Sequence, residues 1–306
     1  MKKYLSILTL IILLLACYSC NREKSAYTSA VKTNTLEALK EFAVYYPDGK
    51  YIDSAREVID KLVWQSILNK NIICEFESFI EEHPKSRFID SAKLMIEKLD
   101  PLKDDDNAAM DKDCNHYKTV KIGTQNWMAE NLRTTRFNDG TAIPVETDNE
   151  KWSKLNTPSL GWYNNKEGEN KYLHGGLYNW YAIETNKLCP KGWHVPTEKE
   201  WSVLIKFLGG NENAVVKMKS NEGGYWKENN EKSTSASGFT GLPDGLRDAT
   251  GAFSNLGEYG AWWIAADSEN PEFSSSIGLS SKALNIEKNV QKKNTGISVR
   301  CIEDTE

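Results

Sequence analysis

Hydrophobic and polar positions follow different rhythms in successive parts of this 306-residue chain. Leu5 to Ala16 is apolar except for Ser6 and Thr9, behind Lys2 and Lys3. That run is shorter than the roughly 20 residues a spanning helix needs and suits the core of a signal peptide. Further on, Ile52, Ala55, Ile59 and Leu62 recur at spacings that share one helix face, and Ile89, Ala92, Ile96 and Leu99 repeat them. Phe42 and Phe79, Pro47 and Pro84, and Asp53 and Asp90 keep the same offset of 37 residues, the mark of a duplicated unit. Each copy reads as two helices parted at its proline, which lacks an N–H and restricts the residue before it. Past Cys114 the rhythm shortens. His116 to Gly123 alternates like a strand, and Ile297 to Ile302 reads as a closing strand. Trp201 to Leu208 has helical spacing, stops at Gly209-Gly210, and follows a Thr197/Glu200 capping box.

The pattern predicts an α+β chain: an N-terminal helical repeat of two helix hairpins, then a loop-rich domain. The segments are a signal peptide over 1–16, a polar tether over 17–30, helical repeats over 31–100, an acidic linker over 101–113 and a C-terminal domain over 114–306. Asp104 to Asp113 holds five aspartates and one lysine, so most of the net charge of −5 sits there. The remainder lacks the basic stripe that displaces counterions from phosphates, so no nucleic-acid partner is expected. The aspartate run also lacks the glycine and glutamate of a calcium loop, so no metal is expected. The chain has four histidines, His83, His116, His174 and His194, and none is paired at the His-x-x-x-His spacing of a zinc helix. Neither a Gly-x-Ser-x-Gly elbow nor a phosphate-cradling glycine loop is present. The expectation is a protein that is not an enzyme and uses no cofactor. His194, between Trp193 and Val195, reads as a structural hydrogen-bonding residue.

Leu14-Leu15-Ala16-Cys17 resembles a lipobox, which implies that Cys17 carries the lipid and tethers the mature N-terminus to a membrane. Cys20 is the rival site, without the leucine three residues before it. Tyr18, rather than an aspartate, follows Cys17 and leans the expectation towards the outer membrane of the cell envelope. Export makes disulfides possible. Of six cysteines, lipidation of Cys17 leaves Cys20, Cys74, Cys114, Cys189 and Cys301, an odd number. The duplicated unit resembles tetratricopeptide repeats, with a period longer than their usual length of about 34 residues.

Several strings stand in one order. They are Val120 to Leu132 (VKIGTQNWMAENL), Asn138 to Pro144 (NDGTAIP), Gly176 to Ala182 (GLYNWYA) and Cys189 to Thr197 (CPKGWHVPT). Gly238 to Arg247 (GFTGLPDGLR), Trp262-Trp263 and Ser298 to Ile302 (SVRCI) follow. Together they resemble the Fibrobacter succinogenes major paralogous domain over about residues 116–304. The resemblance implies a fold like C-type lectins and formylglycine-generating enzymes, and a bridge from Cys189 to Cys301. The reactive cysteine pair of those enzymes is not matched, because Cys301 stands alone near the C-terminal end. The family's Trp-Trp-Ser-Ser-Thr type string is replaced here by Trp262 to Asp267 (WWIAAD).

Nine of the ten tryptophans lie beyond Cys114, so the aromatic content bears mainly on that domain. Trp127, Trp180, Trp193, Trp262 and Trp263 fall in the family strings and read as core. Trp152, Trp162 and Trp226 have polar or glycine neighbours and read as half-exposed rings that contact a ligand, with Asn164, Asn165 and Asn170 beside them. The functional expectation is an exported lipoprotein whose non-catalytic, lectin-like domain binds a glycan or protein at the cell envelope. The alternative is a structural lipoprotein whose helical repeats dock a partner complex.

Overall fold

The computed structural model describes residues 21–70, 72–99, 108–227, 233–266 and 270–305. The chain divides into two compact units, Met1–Lys98 and Leu99–Glu306. Cys17 and Cys20 lie outside the described residues. Among the described residues, no helix is long and apolar enough to cross a membrane.

The first unit is helical. Residues 21–33 form α1, followed by α2 (Leu36–Tyr45), α3 (Ile52–Lys70), α4 (Ile73–Glu82) and α5 (Ile89–Leu99). The offset of 37 is kept in the elements themselves: α4 starts 37 residues after α2, and α5 starts 37 after α3. Pro47 and Pro84 each follow the residue that caps the first helix of a hairpin, Tyr46 and His83. Ala55 and Ala92 are fully buried, as small residues at a close helix approach should be. The tether reading needs correction over 21–30. Those residues are helical, and Tyr27 packs on Phe42 and Tyr51 while Ala30 is buried. The Glu23 carboxylate accepts a bond from the Tyr51 N–H at 2.9 Å. A chain of two hairpins has little apolar area to bury, and α1 adds to it. Trp64 of α3 packs onto the second hairpin, stacking on Phe88 at 5.3 Å and tilting against Phe76 and Phe79 of α4.

The second unit is made of short ladders. Strands β1 (Ala109–Met110) and β2 (His116–Tyr117) pair antiparallel. Strands β3 (Thr119–Ile122) and β4 (Gln125–Met128) form a hairpin. Beyond them come α6 (Asn149–Ser153), β5 (Leu160–Gly161), α7 (Glu167–Asn170), β6 (Leu177–Tyr178) and α8 (Trp180–Glu184). Strand β7 (Trp193–His194) leads into α9 (Glu198–Phe207) and α10 (Asn211–Met218). The last strands are β8 (Asp244–Arg247), β9 (Phe253–Leu256), β10 (Tyr259–Trp263), β11 (Phe273–Ser280), β12 (Glu287–Lys292) and β13 (Ile302–Glu303). One sheet has the order β3-β4-β13-β7, another β10-β11-β12, and β5-β6 and β8-β9 form two-stranded ladders. The Thr197/Glu200 capping box is present, and Gly209 lies at φ 98° just past α9.

Adjacent residues of a strand face opposite ways. Trp263 therefore joins one core with Tyr178, Trp180 and Leu188, while Trp262 joins another with Trp127, Trp201 and Phe239. The Trp262-Trp263 pair thus serves two cores at once. The closing segment differs from the single strand expected of it. Ile297 bridges to Tyr178 and Ser298 to Trp262, the Val299 carbonyl accepts from the Leu132 N–H, and only Ile302 and Glu303 join a sheet. It threads between successive partners because Ile297, Val299 and Cys301 are all fully buried. Cys189 and Cys301 are bonded, with Cα atoms 6.0 Å apart across 112 residues of sequence.

The linker reading is also corrected at its C-terminal end. Asp111 and Asp113 are buried, not solvated. Asp111 accepts from the backbone N–H groups of Asp113 and Asn115 and from the Tyr117 hydroxyl at 2.5 Å. Asp113 accepts from the Thr135 N–H and hydroxyl. Burial raises the Asp111 carboxyl above its ordinary pKa despite those bonds. The domain therefore begins no later than Ala109. Aspartates at i and i+2 make a tight, self-bonded turn there, and composition alone reads that turn as linker.

Candidate functional site

The three loop tryptophans are not a ligand face. Trp152, Trp162 and Trp226 are 0%, 3% and 4% exposed, which overturns the half-exposed expectation. Each ring lies near a buried cation. The Arg247 guanidinium stands 4.1 Å from the Trp152 ring, Lys219 Nζ 4.6 Å from Trp226, and Lys171 Nζ 5.8 Å from Trp162. Arg247, Lys219 and Lys171 are themselves almost fully buried. A cation over an indole face is attracted by the ring quadrupole, more strongly when desolvated. The polar neighbours of these rings in sequence therefore said nothing about exposure, because the covering groups come from elsewhere in the chain. At Gly296 an added Cβ would fall 2.8 Å from the Trp152 ring, so a glycine there admits the indole. Trp162 and Trp226 also belong to different cores. Asn164 and Asn165 are exposed, with left-handed φ of 52° and 58°, a conformation asparagine tolerates. Asn165 donates to the Thr147 carbonyl, and Asn170 is buried and donates to the carbonyls of Tyr163 and Lys166. These asparagines shape a turn.

The sequence strings meet in a buried polar hub. Asn131 donates to Asp244 at 2.5 Å and to the His174 carbonyl at 2.9 Å. Its side-chain oxygen accepts from the Trp262 indole at 2.8 Å and from Arg300 at 2.6 Å. Asp244 also lies 2.7 Å from His174 Nδ1, and Arg300 donates to the carbonyls of Ala129 and Phe239. Asn131, Asp244 and Arg300 come from three of the strings, and all are buried. Burial pushes the Asp244 carboxyl up and the Arg300 guanidinium down to about 9. A buried network of this kind, in which Arg300 Nε is left without a partner among the described residues, favours one packing of the loops.

Chemistry that solvent can reach lies beside the disulfide. A cavity of about 390 Å³ lies against Cys189, within the usual size range of small-molecule sites, about 300–1,000 Å³. Helix α8, capped by the Asn179 side chain, supplies Trp180, Ile183 and Glu184. The turn after it supplies Asn186, at φ 55°, and Leu188. Strand β7 supplies Trp193 and His194, and Val195 and Thr197 follow on the way to α9. Ala265 and Ala266, after β10, complete the wall. Trp180 meets Trp263 edge-on at 5.4 Å, which fixes its ring. Trp193 is half-buried.

His194 is held at both ring nitrogens, Nδ1 2.6 Å from Asp304 and Nε2 2.9 Å from Glu200. The Glu200 bond, helped by Asp304 and opposed by partial burial, raises its pKa to about 9. Burial pushes Glu200 up, but bonds from His194 and Thr197 outweigh it and bring that carboxyl to about 2. His194 is a hydrogen-bonding clamp between the chain end and α9. Sequence reasoning placed Trp180 and Trp193 in the core, where Trp180 is buried and Trp193 is only partly so, and passed over Glu184 and Asn186. The available signal was local: an asparagine at a left-handed position one turn past a helix, and a Trp-His pair next to a bridging cysteine.

Residues 120–303 match the family model described as Fibrobacter succinogenes major domain. No curated protein and no solved structure matches the chain.

Proposed function

Given that the chain belongs to the Fibrobacter succinogenes major domain family, we propose that its C-terminal domain is a non-catalytic, lectin-like module. The module binds a glycan in the cavity beside the Cys189–Cys301 bridge. The mature protein is held to the cell envelope, on the outer membrane, by a lipid on Cys17. The observation that carries the reading is the lining of that cavity. One half-buried indole, Trp193, stands with the exposed Glu184 and Asn186 in its lining, and the buried Trp180 backs the wall. A sugar presents an apolar ring face and a polar rim, and aromatic rings with a few placed polar groups suit both. The histidines support binding rather than proton transfer: His194 has both nitrogens held by carboxylates, and His174 is tied to Asp244 inside the hub. A glycan array probed with the mature chain tests the reading. Binding that Trp193→Ala removes supports it, and a blank array with folded protein counts against it.

A separate observation favours a second reading, in which the helical repeats dock a protein partner. Within the first unit a groove of about 840 Å³ runs past Asp53, Asp60, His83 and Arg87. Its His83 and Asp60 side chains meet at 2.7 Å. A pull-down that survives Trp193→Ala and fails when this groove is altered would favour docking over glycan binding.

A further inference from the structure

We infer that the cavity selects a sugar carrying an N-acetyl group, an inference that rests on the glycan-binding reading above. The polar groups of the lining are unequal. At one end His194 has both ring nitrogens engaged by Asp304 and Glu200. There too, Thr197 gives its hydroxyl and its N–H to Glu200. That end has spent its hydrogen-bonding capacity on itself. At the other end Glu184 meets Lys293 through one carboxylate oxygen at 3.1 Å. Among the described residues, its second oxygen and the Asn186 side-chain amide have no protein partner. Apart from the indole N–H groups of Trp180 and Trp193, the free side-chain donor and acceptor capacity of this lining lies at one corner, where α8 ends.

The remaining wall presents methyl groups: Leu188, Val195, Ala265 and Ala266. A hydroxyl seated against methyl groups would lose its water and gain no bond, which is unfavourable. A free ammonium would meet a carboxylate already shared with Lys293 and would leave the methyl wall without a partner. An acetamido group fits all of the features together. Its N–H can donate to the open Glu184 oxygen, its carbonyl can accept from the Asn186 amide, and its methyl can sit on the alanines. The ring it hangs from has the half-buried Trp193 to stack on. The cavity, about 390 Å³, suits a ligand of roughly one or two sugar rings.

The test is a calorimetric titration of the mature full-length chain with three β-1,4-linked trimers: N-acetylglucosamine, its de-N-acetylated form, and glucose. The acetylated trimer is expected to bind at least about ten-fold tighter than either, the worth of one or two added hydrogen bonds. Asn186→Asp keeps a residue suited to the left-handed turn and removes the amide donor. It should erase most of that preference, bringing the affinities of the acetylated and glucose trimers together. Equal affinity for the glucose and acetylated trimers overturns this inference and leaves the glycan reading standing. Binding of none of the trimers, together with a blank glycan array, overturns both. An acetylated-trimer affinity that Asn186→Asp does not change overturns the assignment of the corner.

Discussion

The second unit holds two histidines beside carboxylates in opposite surroundings. His174 and Asp244 belong to a closed hub, with side chains 10% and 0% exposed. His194 lines a cavity and is held by Glu200 and Asp304, the three side chains 37%, 26% and 56% exposed. The residue types are the same, and solvent access separates their uses. In the hub the Asn131 amide, the Asp244 carboxylate and both terminal nitrogens of Arg300 are spent on other parts of the chain, so it fixes loops that have little regular structure. At the cavity the same chemistry braces a wall and leaves neighbouring groups open. A histidine–carboxylate pair is therefore a site only where something else can reach it.

That contrast can be broken in several ways. The largest effect is expected at the bridge that walls the open site. Cys189→Ser with Cys301→Ser frees a loop of 112 residues and should cost about 4–5 kcal/mol by the chain-entropy estimate, read by urea denaturation. A loss below about 1 kcal/mol would mean the hub and core alone hold the closing segment. Next comes the hub itself. Asn131→Leu removes partners from Asp244, Arg300 and Trp262 together and should destabilise by about 3–5 kcal/mol, since it leaves buried charges uncompensated. A near-neutral result would show that water replaces the amide and that the hub is not closed.

The smallest effect is expected at His194. Its pKa is raised from 6.5 to about 9 by Glu200 and Asp304. The stability it adds is complete below about pH 6.5 and is lost as pH rises through about 9. Glu200, depressed from 4.5 to about 2, adds stability above its ordinary pKa and loses it as pH falls through about 2. Thermal melting across pH should show a decline between about pH 6.5 and 9 that His194→Gln removes. A variant with the same alkaline slope would place the transition on another group. The clamp is partly exposed, so solvent screening keeps its worth small.

The helical hairpins were legible because their signals are local. The faces of Ile52, Ala55 and Ile59 and of their copies are set by spacing along one helix, and proline positions set the breaks. The strings of the second unit announced the family and the Cys189–Cys301 pairing. They did not announce that Asn131, Asp244 and Arg300 would converge, because that contact is made across more than a hundred residues. The tryptophans show the same limit. Trp152 looked exposed beside Lys151 and Ser153, but the group that covers it, Arg247, lies far along the chain. Trp193 looked like core in its string, but it is only partly buried and lines a cavity together with Ala265 and Ala266, which lie far along the chain. In a fold made of short ladders and loops, neighbours in sequence are poor guides to neighbours in space.

The most direct measurement is one titration made on two variants, each with its thermal melt. Trp193→Ala and Trp152→Ala remove the same side chain, one from the edge of the cavity and one from beneath Arg247. Trp193→Ala is predicted to melt close to the parent and to bind the acetylated trimer too weakly to measure. Trp152→Ala is predicted to lose about 3–5 kcal/mol of stability, as a truncated buried aromatic does, and to keep its affinity at temperatures where it remains folded. Unchanged affinity in Trp193→Ala, with loss of binding in a stable Trp152→Ala, would contradict the account and move the site back to the loops.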